Sequence, residues 1–301
     1  MLADSDMSSV FTLSLVLCAL LMCYLQVRQP LRDWRKLGKC QKVIQHSPGG
    51  SRYVGVAVNG EGLLAVSDKM NECLQLLTKE GALLRSIGEG VLGGGLYGVA
   101  FDLNGNIWVS DWDNDIVFKL SQDGRLLQTI RHAGVEGDFF SNPFSVSVSP
   151  EGLIYSCDWD NHRVTVHDKE GMFLFMFGSK GSSPGCFDRP RDVTFGSDGL
   201  VYVTDEVNSR VSVWSKEGTF KRAFRPKYDP TCIAATSDNH LLITSYFSHT
   251  VMVYTLDGQL VHEFGGEGSD PGRFNGPCGA CVDDDGLVYV VDHHNRRVQV
   301  F

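Results

Sequence analysis

The chain has 301 residues, of which 43% are hydrophobic and 21% charged, a composition that excludes wholesale disorder and fits a folded globular protein. The net charge is −9, and from Val43 onward 33 acidic residues outnumber 21 Lys and Arg. Such an acidic body excludes a generic polyanion binder with a basic surface. Nine cysteines are too few for a disulfide scaffold, so a reduced, cytosolic setting fits best.

The N-terminal forty residues differ from the rest of the chain. Residues 1–6 form an acidic tail, and residues 7–27 lack charge over a length that can cross a ~30 Å hydrocarbon core as a helix. The basic linker 28–40 then predicts, by the positive-inside rule, a single-pass membrane protein whose body faces the cytosol. Two alternatives stay open: a cleaved leader, or an artefact of the gene model in which residues 1–30 are absent from a soluble cytoplasmic protein.

The remaining chain is built from an internal repeat. Six similar segments begin at Tyr53, Tyr97, Phe144, Arg191, Thr231 and Cys278. Each contains short hydrophobic runs separated by turn dipeptides, as expected for short strands joined by hairpins. In the second copy the predicted strands are 99–101, 107–110, 117–120 and 126–130. Four strands per ~45 residues predict one propeller blade, so residues 41–301 are expected to form an all-β, six-bladed propeller with antiparallel blades.

Closing the ring requires a strand from elsewhere, because the sixth copy stops at Phe301 after its third strand. The segment 42–45 resembles the fourth strand of the fifth copy, at 260–264. We therefore expect residues 41–46 to supply the outer strand of the last blade. This pairing would join the two ends of the propeller and remove an exposed sheet edge.

The repeats resemble a known family. Residues 270–301, with Asp-Pro-Gly-Arg-Phe and Val-Asp-His-His-Asn-Arg-Arg-Val, look like an NHL repeat, as do 184–213 and 142–166. Residues 31–44 further resemble the lead-in to the propeller of TRIM-NHL proteins. The resemblance implies a recognition module that recruits substrates or RNA to a ubiquitin ligase. The chain lacks the RING and B-box patterns of that family, so ligase activity does not carry over.

An Asp-x-x-Asn motif ends the second strand of most copies, and three copies add an Arg five residues after the Asp. The residues are Asp68, Asp111, Asp158, Asp205, Asp292, Asn114, Asn161, Asn208, Asn295, Arg163, Arg210 and Arg297. A ring of polar ligands is one interpretation. A structural role is favoured, because Asp and Asn bond their own turn amides and the Arg pairs with an Asp at a blade junction.

The loop tips between second and third strands carry aromatic residues, and the long loops between blades add basic ones. The predicted partner-binding residues are Trp112, Trp159, Tyr246, Phe247, His293, Lys180, Arg189, Arg191, Lys227 and Arg273. Exposed aromatic anchors with a basic rim favour a protein partner. Single-stranded RNA stacked on the aromatics is the alternative, as is a structural role in which they fold onto neighbouring blades.

A metal-dependent enzyme resembling the peptidyl-amidating lyase of peptide hormones is the second alternative. Its histidines would converge near the central channel, which the first strands line. No first strand of this sequence contains His, and no nucleophile motif or phosphate loop is present. The sequence therefore predicts a non-catalytic module with no catalytic residue, metal, cofactor or small-molecule substrate, and a membrane contact through residues 7–27.

Overall fold

The computed structural model describes residues 32–45, 50–132 and 138–301. The tail 1–6 and the predicted membrane helix 7–27 lie outside these ranges. Within the described residues, no helix has the length and apolarity needed to cross a bilayer.

Over these ranges the structure forms one short helix and 24 strands, which make six four-stranded sheets. The helix is a 3₁₀ turn, Trp34–Lys36, and the first strand is β1, Lys42–Ile44. Blade 1 contains β2 Tyr53–Val58, β3 Leu64–Asp68, β4 Cys73–Leu77 and β5 Leu83–Ile87. Blade 2 contains β6 Leu96–Phe101, β7 Ile107–Asp111, β8 Ile116–Leu120 and β9 Leu126–Ile130. Blade 3 contains β10 Pro143–Val148, β11 Ile154–Asp158, β12 Arg163–His167 and β13 Phe173–Phe177.

The other three blades complete the ring. Blade 4 contains β14 Pro190–Phe195, β15 Leu200–Asp205, β16 Arg210–Ser215 and β17 Phe220–Phe224. Blade 5 contains β18 Ile233–Ala235, β19 His240–Ser245, β20 Thr250–Thr255 and β21 Leu260–Gly265. Blade 6 contains β22 Pro277–Val282, β23 Val288–Asp292 and β24 Arg297–Val300. All the blades are antiparallel, so the prediction of an all-β six-bladed propeller is confirmed.

Strand β1 is the outer strand of blade 6. It pairs antiparallel with β24, with Lys42 opposite Val300 and Ile44 opposite Val298. The side chain of Ile44 is buried between blades 6 and 1, whereas that of Val43 is exposed. The two ends of the propeller are therefore joined within one sheet.

Part of the predicted linker packs on the propeller. Trp34 is buried with its ring centre 5.4 Å from that of His240 in blade 5, and its indole N–H donates to Asp238 over 2.8 Å. His262 of the same blade contacts the carbonyl of Leu37 at 2.7 Å. Residues 34–37 thus belong to the folded unit Trp34–Phe301.

The core consists of hydrophobic layers between neighbouring blades. One layer joins blades 1 and 2 through residues such as Leu76 and Leu120, and another joins blades 3 and 4. In the latter, Trp214 lies 4.8 Å from Phe177 and 4.9 Å from Phe187, ring centre to ring centre. Each blade buries both faces, which explains why the second and third strands are almost wholly buried.

Candidate functional site

The conserved geometry of the repeat lies in the turn between the second and third strands. In blade 4 the buried Asp205 accepts hydrogen bonds from the Asp188 N–H, from Asn208 and from the Nε of Arg210, the last over 2.7 Å. The residue after the Asn, Ser209, has φ of 50°, a left-handed conformation, and its N–H donates to the carbonyl of Glu206.

The same turn occurs in other blades with local changes. Asp158 and Asp292 bind their Asn and Arg as Asp205 does, through Asn161, Arg163, Asn295 and Arg297. Asp111 binds Asn114, with Ile116 at the position of the Arg. In blade 1, Gln75 donates to Asp68 over 2.9 Å in place of an Arg. These carboxylates are fully buried and are engaged in the hydrogen bonds just described. They therefore stabilise the turns and do not face a ligand.

The aromatic residues of the loop tips turn inward over the channel mouth. Trp112 and Trp159 flank Phe144, with ring centres 6.1 and 5.9 Å from it. Cations lie over these rings: Lys69 is 4.7 Å from the Trp112 ring and Arg189 is 4.1 Å from that of Trp159. The aromatic side chains are thus stacked with cations and are only partly exposed.

Four of the predicted binding residues line one cavity of about 240 Å³ at this mouth: Trp112, Arg191, Tyr246 and His293. Trp159 and Arg189 lie beside it. The other four residues, outside the lining, are Lys180, Lys227, Phe247 and Arg273. Lys227 pairs with Glu263 over 2.7 Å, Arg273 donates to the carbonyl of Gly265, and Phe247 is largely exposed.

Sequence reasoning missed several residues of this cavity. The lining also includes Arg52, Val54, Lys69, Tyr97, Phe144 and Cys278. Tyr97, Phe144, Arg191 and Cys278 occupy equivalent positions of four repeats, near the start of the innermost strand. A propeller places that position around the channel mouth, and this equivalence is the signal that could have identified them.

His293 is held as a neutral imidazole across the junction of blades 6 and 1. Its Nδ1 lies 2.7 Å from the carbonyl of Tyr53, and its Nε2 lies 3.0 Å from the Nε of Arg52. Because a carbonyl only accepts, we assign the proton to Nδ1 and leave Nε2 as the acceptor of the Arg52 N–H. Burial, reinforced by the charges of Arg52 and Lys69, lowers the pKa of His293 to about 4.

Arg191 supplies a second feature of the cavity. Its guanidinium donates to the hydroxyl of Tyr97 over 2.7 Å, forms an ion pair with Glu206, and lies 4.5 Å from the ring centre of Phe144. Burial raises the pKa of Tyr97, so its hydroxyl keeps its proton. The Nε of Arg191 and the indole N–H of Trp112 are buried and have no hydrogen-bond partner among the described residues. Both nitrogens are shielded by the surrounding side chains, so the groups that remain to meet a ligand are the other N–H groups of the cationic side chains.

The cavity is lined by more positive than negative side chains, and one of its cations, Arg191, is paired with Glu206 outside the lining. Arg52, Lys69 and Arg191 line it, and no carboxylate of the described residues does. A cavity with this charge favours a small anion, although the body of the protein is acidic. Cys278 is not a candidate nucleophile, because burial raises the pKa of its thiol to about 12 and its Sγ contacts the carbonyl of Val54.

Comparison with known proteins supports the repeat and the fold. Residues 187–214 and 274–301 match the NHL repeat. A gluconolactonase from Xanthomonas campestris superposes with a TM-score of 0.66 at 14% identity, covering 87% of this chain and 97% of that chain. A virginiamycin B lyase from Staphylococcus aureus gives 0.61 at 12% identity, covering 86% and 98%. A structure of a nidogen/laminin complex gives 0.61 at 19% identity, covering 71% and 80%. At these identities the likeness establishes the fold.

The prediction of a non-catalytic recognition module is wrong, and so is the prediction that the chain is not an enzyme. Structures that share this propeller include a lyase and a gluconolactonase. The sequence argument excluded catalysis because no first strand contains His. The structure brings His293 to the channel mouth from a loop instead. The narrower resemblance to TRIM-NHL proteins stays a prediction.

Proposed function

We propose that this propeller is a lyase-type enzyme that acts on a small carboxylic acid at the channel mouth. One observation carries the proposal: His293, a neutral imidazole, shares a cavity with three cationic side chains, Arg52, Lys69 and Arg191. The cations suit a carboxylate, and the imidazole suits removal of a proton from the adjacent carbon. The fold is shared with enzymes, one of which is a lyase.

The first step is binding of the carboxylate by Arg52, Lys69 and Arg191. Because Arg52 now donates to the substrate, the Nε2 of His293 is released from its 3.0 Å contact. The bound negative charge also opposes the cations that help to depress the pKa of His293, so the imidazole becomes a stronger base when substrate is present. Proton abstraction is thereby coupled to binding.

The second step is elimination. His293 takes the proton from the carbon next to the carboxylate, and the electron pair of that C–H bond forms a double bond as the bond to the leaving oxygen breaks. The hydroxyl of Tyr97 donates its proton to that oxygen, and Arg191 stabilises the phenolate through its 2.7 Å hydrogen bond. The cations stabilise the charge that develops on the carboxylate in the transition state. Return of the proton from His293 to Tyr97 through water completes the cycle.

The metal-dependent alternative does not fit this cavity. Divalent metals in proteins are usually held by carboxylate, thiolate or imidazole ligands, whereas the lining offers three cations, a Cys whose thiol keeps its proton, and a single His whose Nδ1 is engaged by a backbone carbonyl. No group of three or more His, Cys, Asp or Glu in the described part of the chain could hold a metal ion. The mechanism is therefore assigned to side chains alone.

The experiment is a panel of 3-hydroxy and 3-acetoxy carboxylic acids, with the unsaturated acid detected by its ultraviolet absorbance. His293→Gln should lower kcat by about 10²–10⁴-fold, the usual contribution of a general base. The matched control is His262→Gln, because His262 lies on the outer strand β21 and does not line the cavity. Its kcat should equal that of the wild type.

Substrate binding is tested separately. Lys69→Met should raise KM and also lower kcat, because Lys69 binds the carboxylate in the ground state and stabilises the charge that develops on it in the transition state. Lys79→Met, which removes a lysine paired with Asp285 outside the cavity, should change neither constant. The proposal is overturned if no acid of the panel yields an unsaturated product and calorimetry detects no carboxylate binding.

A further inference from the structure

A channel lined mostly by apolar residues lies beside the mouth cavity, in the centre of the propeller. This channel has a volume of about 290 Å³ and is lined by the innermost strands β2, β6, β10, β14, β18 and β22. It shares Val54, Tyr97 and Arg191 with the mouth cavity, so the two spaces adjoin at these residues. Its far end meets a wider cavity of about 660 Å³, which shares Val58, Phe101 and Ala235 with it.

The polar side chains of the channel wall are largely engaged with backbone groups of the inner strands. Asp192 accepts the N–H of Ile233 over 2.9 Å, and Thr194 accepts that of Ala235 over 3.0 Å. Ser147 donates to the carbonyl of Val193 over 2.7 Å. These bonds give hydrogen-bond partners to backbone N–H and C=O groups along the free edges of the innermost strands. The other lining residues are mostly apolar, and Ala100, Ala234 and Val282 are among those with partly exposed side chains.

The channel is also narrow, because its strands approach closely at glycines. A Cβ at Gly98 would lie 2.6 Å from the Cα of Ser145, and one at Gly279 would lie 2.6 Å from the carbonyl oxygen of Val54. Gly55 is tighter still, with the carbonyl oxygen of Tyr97 only 2.2 Å from the added atom. Neighbouring inner strands therefore sit in direct backbone contact, which leaves room for a thin ligand.

We infer that the substrate is a carboxylic acid whose unbranched apolar chain enters this channel while its carboxylate stays with Arg52, Lys69 and Arg191. The inference rests on the proposed function, since it places the head group in that site. It adds the substrate class, because a cationic mouth above a narrow apolar tube matches an amphipathic anion. A hydrophilic acid of the same charge would leave the channel wall without an apolar partner.

The test is calorimetric titration of the full chain with linear saturated carboxylates from butanoate to dodecanoate. Affinity should rise by about fourfold per added methylene, the effect expected for burying one CH₂ group. The rise should stop once the chain reaches the wide far cavity. An acid of equal carbon number with a tert-butyl end should bind no better than butanoate.

A pair of variants locates the chain in the channel. Ala100→Leu fills the channel wall and should stop the rise at a shorter acid, with butanoate affinity unchanged. Ala223→Leu makes the same change at an exposed position of the outer strand β17 and should reproduce the wild-type series.

The outcomes separate this inference from the proposed function. Equal affinity for all chain lengths, with binding still weakened by Lys69→Met, overturns the inference and leaves the anion site standing. A length dependence that Ala100→Leu does not shorten, in a variant that melts like the wild type, places the chain elsewhere and also overturns it. Absence of binding by every acid overturns the proposed function, and the inference falls with it.

Discussion

Ring closure by β1 can be tested with two substitutions in the same strand. Ile44 is 3% exposed and packs between blades 6 and 1, whereas the adjacent Val43 is 37% exposed. Ile44→Ala removes three buried carbons, each worth about 0.8 kcal/mol on transfer from water. The cavity that the substitution leaves adds a further cost, so the free energy of unfolding should fall by about 3 kcal/mol in total. Val43→Ala should cost no more than about 0.5 kcal/mol, as for other surface changes.

For a domain of this size each kcal/mol lowers Tm by about 2–4 °C, so Ile44→Ala should lower it by about 6–12 °C in calorimetry. The partner across the ladder is Val298, and the double variant with Val298→Ala should show a coupling energy of about 0.5–3 kcal/mol. Equal shifts for the two single variants, or strict additivity in the double variant, would show that β1 does not hold the ring closed.

Two further predictions concern buried charge and pH. Asp205→Ala should lower the free energy of unfolding by about 3–5 kcal/mol, because it leaves the buried guanidinium of Arg210 without its carboxylate. Chemical denaturation measures this loss, and a loss as small as that of a surface variant would contradict the role given to the Asp205–Arg210 pair. Burial lowers the pKa of His167 to about 4 from an ordinary value of 6.5. As the pH falls, His167 is therefore protonated in the unfolded chain before it is protonated in the folded chain, so the free energy of unfolding should fall between about pH 6.5 and pH 4. His167→Gln should flatten that part of the stability profile measured by urea titration, and an unchanged profile would contradict the assignment.

The fold could be predicted from the sequence because each blade is specified by residues close together in the chain. The runs predicted for the second copy, 107–110 and 126–130, are observed as Ile107–Asp111 and Leu126–Ile130. Alternating apolar residues and turn dipeptides specify each hairpin, and repetition specifies the number of blades. The first strand of that copy begins earlier than predicted, at Leu96, because the ladder continues past an irregularity in register that periodicity does not show.

The site was harder to predict because it depends on which side chains meet across blades. Trp112 and Trp159 were expected to be exposed anchors, yet each stacks with a cation from another part of the chain. Arg191 was grouped with loop residues, although it belongs to an innermost strand and binds Tyr97, 94 positions away. Such contacts follow from ring geometry, which brings equivalent repeat positions together at the channel mouth.

Ring closure and the candidate site both involve the junction between blades 6 and 1. His293, from blade 6, bonds the carbonyl of Tyr53 and the side chain of Arg52, both of which precede or begin the first strand of blade 1. Cys278 contacts Val54 across the same junction, over 3.1 Å. Strand β1 forms the outer edge of blade 6. Loosening β1 should therefore disturb the contacts between blades 6 and 1 before the other blades unfold. If blade 6 is loosened at β1, His293 should lose its contacts with blade 1, so Ile44→Ala should lower kcat at temperatures where most of the propeller remains folded.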